Sequence, residues 1–319
     1  MKTIALALLL IAAPLRADRI FVTNERGGTI AVIDSATDRV VATIAMPSRP
    51  RGIVVSPDRK RLYAAVSHFR DKPSRTRDEA VAIDAATLKV VQRYAAGTDP
   101  EGIALTPDGA RFIVSNEDAG TASIVDVKSG RTIAALVVGT EPEGVAASAD
   151  GRTIYVTGET SNTISVIDAQ RAKVAAVVLV DTRPRGIAFT RNSARAYISC
   201  EIAGAIDLLD VKANRVIKKI SLGKSDRPVG LVLSSDEKRL YVATGRGNGV
   251  AVIDTATNRV VNTIAAGNRP WGIGLTRDGR KLYVANGLSN DVTVIDVATF
   301  RVIATIRNVG DGPWGIAVN

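Results

Sequence analysis

Seven copies of a Pro-x-Gly element, a spacing of about 42 residues between them, and complementary partial repeats at the two ends predict an all-β fold. The expected architecture is a seven-bladed β-propeller of four-stranded antiparallel blades, the last blade closed by N- and C-terminal strands. The copies stand at Pro50/Gly52, Pro100/Gly102, Pro142/Gly144, Pro184/Gly186, Pro228/Gly230, Pro270/Gly272 and Pro313/Gly315. Each opens a short alternating apolar run, such as Gly102-Ile103-Ala104-Leu105, which is the first strand.

A polar turn comes next, as in Thr106-Pro107-Asp108-Gly109, followed by a second strand such as Leu282-Tyr283-Val284-Ala285. The third strand ends in aspartate (Val32-Ile33-Asp34, Val252-Ile253-Asp254). That carboxylate is placed to accept N–H groups of the turn it begins. A β-branched fourth strand completes the unit, as in Val40-Val41-Ala42-Thr43-Ile44. Residues 20–44 lack a first strand and residues 313–318 supply one, so the two ends are expected to share a blade. The tyrosines of the second strands (Tyr63, Tyr155, Tyr197, Tyr241, Tyr283) are expected in the space between blades. Cys200, the sole cysteine, continues one such strand as an unpaired, partly buried thiol.

Before the repeats, Lys2, the apolar run Ile4–Ala13 and the small residue Ala17 read as a signal peptide over residues 1–17. A propeller over 18–319 would then be exported to the periplasm, with no stable membrane insertion after cleavage. Net charge is +10, or +8 without Lys2 and Arg16, which favours anionic partners; nucleic acid is not expected in that compartment.

In such a meander the loops that enter first strands and those joining second to third strands emerge on one face, here called upper. Sequence varies there, while the lower turns repeat. The residue between Pro and Gly is Arg51, Glu101, Glu143, Arg185, Val229, Trp271 and Trp314 in turn; Arg227 and Arg269 precede their prolines. The channel mouth therefore has an acidic sector, flanking basic sectors and an aromatic sector that holds both tryptophans. Either these charges neutralise one another around a channel, or the arginines receive an anionic group while the tryptophans stack on a planar part. Ser67–Ala80 departs from the repeat as a lengthened upper loop, expected to dock a partner, and carries the only histidine, His68.

The second strands, Phe21-Val22-Thr23-Asn24, Tyr155-Val156-Thr157-Gly158, Tyr241-Val242-Ala243-Thr244 and Tyr283-Val284-Ala285-Asn286, resemble those of YVTN-type β-propeller repeat proteins. In length, repeat count and leader the chain resembles the seven-repeat propellers associated with pyrroloquinoline-quinone-dependent alcohol catabolism. That resemblance implies a periplasmic binding or scaffold protein. Its expected partner is a quinoprotein dehydrogenase, a cytochrome, a transport component or a small anionic ligand.

No Cys-x-x-Cys-His element is present, and one His with one Cys cannot build the usual transition-metal site. No cofactor is expected, although Glu101, Glu117, Glu143 and Glu159 offer oxygen ligands for Ca²⁺. No catalytic constellation stands out, so binding is expected rather than catalysis. Two alternatives stay open: an enzyme acting on a small organic acid, lactone or alcohol at the upper funnel, and an electron-transfer propeller with His68 as an axial ligand.

Overall fold

The computed structural model describes residues 17–46, 48–68 and 78–319. The leader read over residues 1–17 falls, but for Ala17, outside the described residues, as does the 69–77 part of the lengthened upper loop. Among the described residues no helix is long and apolar enough to cross a membrane.

Twenty-eight strands, numbered in chain order from β1 (Arg19–Asn24) to β28 (Pro313–Val318), form seven four-stranded antiparallel sheets. Six sheets are consecutive meanders; the seventh has the order β28-β1-β2-β3, with β2 at Thr29–Asp34 and β3 at Arg39–Ala45. The termini meet as the partial repeats predict, with Ile20 opposite Val318 and Phe21 opposite Ala317. Arg19 and Asn319 exchange backbone hydrogen bonds of 3.1 and 2.9 Å.

Second and third strands are buried on both faces, while fourth strands alternate, as an outer strand with one wet face must. The core is divided into seven clusters, one for each junction between neighbouring blades. In one of them Tyr155, Ile164 and Val166 pack against Ala196, Ile198 and Cys200 of the next blade. All five second-strand tyrosines are buried. Cys200 is wholly rather than partly buried, and burial pushes its thiol pKa up, which leaves it unreactive. The third-strand aspartates do cap their turns: Asp34 accepts the N–H groups of Ala36 and Thr37 at 3.0 and 2.9 Å.

One third strand breaks the pattern. In β18 (Ala205–Asp210) the third position is Asp207, where sibling blades have Ser123, Ser165 and Thr293. Asp207 Oδ2 accepts the Asp181 N–H at 2.8 Å, a bond that Ser165 Oγ makes equally well to Gly139 N at 3.2 Å. Its Oδ1 is buried without a hydrogen bond. Burial, together with the Asp181 carboxylate, raises the Asp207 pKa to about 6 against the donation from the Asp181 N–H. Because folding raises this pKa, the stability contribution is present at acid pH and is lost as pH rises through about 6. Asp207→Ser is therefore expected to raise Tm by about 3 °C at pH 8 and to leave it nearly unchanged at pH 4, as read by thermal melts.

Candidate functional site

In all seven blades the pairing register slips between Pro and the residue after Gly. In one blade, for instance, Pro100 faces Asn116 and Ile103 faces Val114. Three residues on the first strand thus oppose two on the second, a β-bulge at the x-Gly pair that re-aims the x side chain. The glycine lets blades crowd at the axis. A Cβ on Gly52 would lie 2.5 Å from the Glu101 carbonyl oxygen, and one on Gly315 would lie 2.6 Å from that of Arg51. Bulge and glycine together fix a ring of x residues around the channel mouth.

A second tie fixes the rim. The residue before Pro has left-handed backbone at Asp99, Glu141, Arg183, Arg227 and Arg269, with φ between 49° and 64°. Its carbonyl accepts the N–H of the residue that ends the second strand, as in Glu201 N to Arg183 O at 2.8 Å and Glu117 N to Asp99 O at 2.9 Å. Gly245, next after the strand Arg239–Thr244, makes the same bond to Arg227 O at 2.8 Å.

Three of the four candidate arginines are held by carboxylates. Arg51 donates through Nη2 and Nε to Glu25 Oε1 at 2.9 and 3.1 Å and abuts Glu101. Arg185 is nearly buried, pairs with Glu143, and meets Glu159 and Glu201 at 2.7 and 2.8 Å. Arg269 donates to Glu201 Oε1 at 2.9 Å. Burial alone would raise the Glu25 and Glu201 pKa values, but Arg51 with Arg49, and Arg185 with Arg269, outweigh it and hold both below the usual range. Glu159 goes the other way, up to about 7. Burial is the main cause, Arg183 opposes it, and Glu141, Glu117 and Glu201 reinforce it. Arg227 alone of the candidate arginines has no carboxylate within 4 Å among the described residues.

Trp271 and Trp314 stack with ring centroids 6.2 Å apart and planes 24° apart. The Arg269 and Arg185 guanidiniums lie over Trp271 at 4.4 and 5.5 Å, and that of Arg51 lies over Trp314 at 5.9 Å. Trp271, Trp314, Val229, Glu143 and Arg185 line a cavity of about 120 Å³ whose remaining wall is glycine backbone. The mouth is thus two-sided, with an apolar arc at Val229, Trp271 and Trp314 facing a charged arc from Arg51 through Glu101 and Glu143 to Arg185.

His68 stands apart from this ring. Its Nδ1 lies 2.7 Å from Asp78 Oδ1, and Asp78 also accepts the Asp99 N–H at 2.9 Å. The four glutamates considered for Ca²⁺ divide between two places. One oxygen each of Asp99, Glu101 and Glu117 gather within 4.8 Å, while Glu143 and Glu159 share Arg185. Arg49 lies 3.7 Å from Asp99 and Arg51 lies 3.6 Å from Glu117, so a cation there would compete with guanidiniums.

The sequence places the x residues at the mouth and offers Glu159 only as a Ca²⁺ ligand; that Glu25, Glu159 and Glu201 bind the arginines together is shown only by the structure. A signal was present in the repeat: the acid ending one second strand faces the Arg-Pro-Arg of the next blade at Glu25/Arg49-Arg51 and at Glu159/Arg183-Arg185. At Glu117 the next blade offers Glu141 and Glu143 instead, and Glu117 turns back to Arg51.

No curated protein matches this chain. Its fold is shared with the Kuenenia stuttgartiensis hydrazine synthase at 23% identity and a TM-score of 0.74, covering 84% of this chain and 89% of that one. A functionally unknown protein from Desulfotomaculum acetoxidans DSM 771 aligns at 15% identity and a TM-score of 0.81, over 94% and 98% of the two chains. Dihydro-heme d1 dehydrogenase NirN, solved in complex with DHE, aligns at 16% identity and a TM-score of 0.67, over 96% of this chain and 75% of that one. Residues 231–318, up to the end of the closing strand, match the model of the YNCE-like beta-propeller family.

Proposed function

We propose that this propeller is a periplasmic binding protein, accessory to a quinone-dependent alcohol oxidation or transport system, whose upper mouth holds one planar or apolar group of an anionic ligand or partner. The observation that carries this reading is the stacked Trp271/Trp314 pair lining a cavity of about 120 Å³. That volume is close to the roughly 150 Å³ of a cavity that holds a benzene ring. It therefore suits a single ring or side chain better than a whole large cofactor. Three guanidiniums are already engaged by glutamates, so charge recognition falls to Arg227 on the rim beside Val229. The leader and the resemblance to propellers of quinone-dependent alcohol catabolism supply the compartment and the system.

Both tryptophans of the chain lie at this mouth, so intrinsic fluorescence reports on it alone. Titration with benzoate, with pyrroloquinoline quinone and with a purified quinoprotein alcohol dehydrogenase is expected to give a saturable change with at least one of them. Trp271→Ala is expected to weaken that binding about tenfold, and Arg227→Ala to weaken the anionic ligands selectively. Fluorescence unmoved by all three, with binding detected elsewhere or not at all, would defeat the reading.

A further inference from the structure

The excess positive charge of the chain is confined to one face. The lower turns comprise the six-residue segments joining first to second strands (56–61 through 276–281, with Asp18 and Arg19 closing the ring) and those joining third to fourth strands (34–39 through 296–301). Together they hold 23 Lys and Arg against 15 Asp and Glu, a surplus of eight. Beyond residue 17 the rest of the chain balances at 17 of each sign. The upper mouth, for all its arginines, adds no positive surplus, since its carboxylates match or exceed them.

The lower carboxylates are largely consumed by the turns that contain them. Asp58 takes the Ser56 hydroxyl at 2.6 Å and the Lys60 N–H at 3.0 Å, and Asp84 takes the Thr87 N–H at 2.7 Å. By contrast, Arg59, Lys60, Lys128, Arg152, Lys212 and Arg259 are exposed with no carboxylate within 4 Å among the described residues. These cations are spread over the blades rather than gathered in a groove or at a point. None of the large exposed apolar side chains belongs to the lower turns. A cleft of about 560 Å³ between two blades, lined by Lys60, Arg61 and Lys128 together with the turn-bound Asp58 and Asp108, has room for a phosphate-bearing headgroup.

We infer that the lower face docks on an anionic lipid surface. An array of cations dispersed over one face is complementary to a plane of anions, whereas a linear polyanion asks for a groove and a discrete anion for a converging pocket. With no apolar side chain to insert, the contact is peripheral and electrostatic, and it turns the Trp271/Trp314 mouth away from the bilayer into the aqueous compartment.

The test is co-sedimentation of the chain from Asp18 onward, which contains every strand, with vesicles of phosphatidylcholine alone or with phosphatidylglycerol in roughly equal parts. Binding is expected to the mixed vesicles only. It should be lost in about 1 M salt, where the Debye length is about 3 Å. Lys60→Glu/Lys128→Glu/Arg152→Glu should weaken it about 100-fold, and the corresponding Gln triple by less. An unchanged melting temperature shows that either triple is folded, so the Gln triple carries the test if the reversal does not fold. Trp271→Ala should bind vesicles as wild type does, which separates this inference from the one about the mouth. Equal binding to neutral vesicles, undiminished binding by a folded triple, displacement by millimolar inorganic phosphate, or capture by polyglutamate or single-stranded DNA without vesicle binding would each overturn it.

Discussion

Arg185→Met is expected to destabilise the propeller by about 3–5 kcal/mol at pH 8 and by much less at pH 5. The guanidinium is only 10% exposed and neutralises Glu143, Glu159 and Glu201, which are themselves buried. Removing it leaves three carboxylates from two blades facing one another in a site poor in water. Their pKa values then rise on folding, as that of Glu159 already does. Stability tied to a raised carboxyl pKa is present at acid pH and is lost as pH climbs through that value, so the deficit must widen from pH 5 to pH 8. Urea melts at the two pH values read this directly. Adding Glu143→Gln to Arg185→Met should restore part of the loss at pH 8. A deficit that does not change with pH would mean that Arg185 acts through packing alone.

Gly144→Ala is expected to cost about 3 kcal/mol or more, because the methyl group meets backbone and not a movable side chain. A Cβ at this position collides with the Arg185 carbonyl oxygen of the next blade. The same carbonyl accepts the Thr157 hydroxyl at 3.3 Å, so it has little freedom to retreat. Gly120→Ala provides the contrast. Its φ of +60° strains an alanine, but nothing lies within 4 Å of the new atom, and the expected cost is about 1 kcal/mol. Denaturant melts of the two variants distinguish crowding at the axis from turn strain, and comparable losses would contradict the ring as described.

The architecture was open to reading because the repeat states it seven times over. The Pro-x-Gly spacing gave the number of blades, the incomplete units gave the closure between β1 and β28, and the aspartates such as Asp34 gave the turns. The x positions could also be placed at the mouth, since the period alone puts Trp271 and Trp314 side by side. Partner choice among the charges could not be read. Whether Arg185 meets a ligand or Glu201 depends on side-chain torsions and on distances across blades, and neither follows from spacing along the chain. The β-bulge at x-Gly was hidden for a similar reason: one extra residue on a strand of six leaves the apolar alternation nearly unchanged. Asp207 was visible as a departure from Ser165 and Thr293 in the repeat, but its pairing with Asp181 was not.

The clasp between the chain ends also sets an order of events. The strand nearest the axis in the shared blade, Pro313–Val318, lies far along the chain from β1, and the N-terminal strands cannot be sealed without it. Six blades are built from strands that follow one another in the chain, but the circle closes only when β28 reaches β1. A contact between strands almost three hundred residues apart is slow to form, so closure of the circle is expected to follow the assembly of the separate blades.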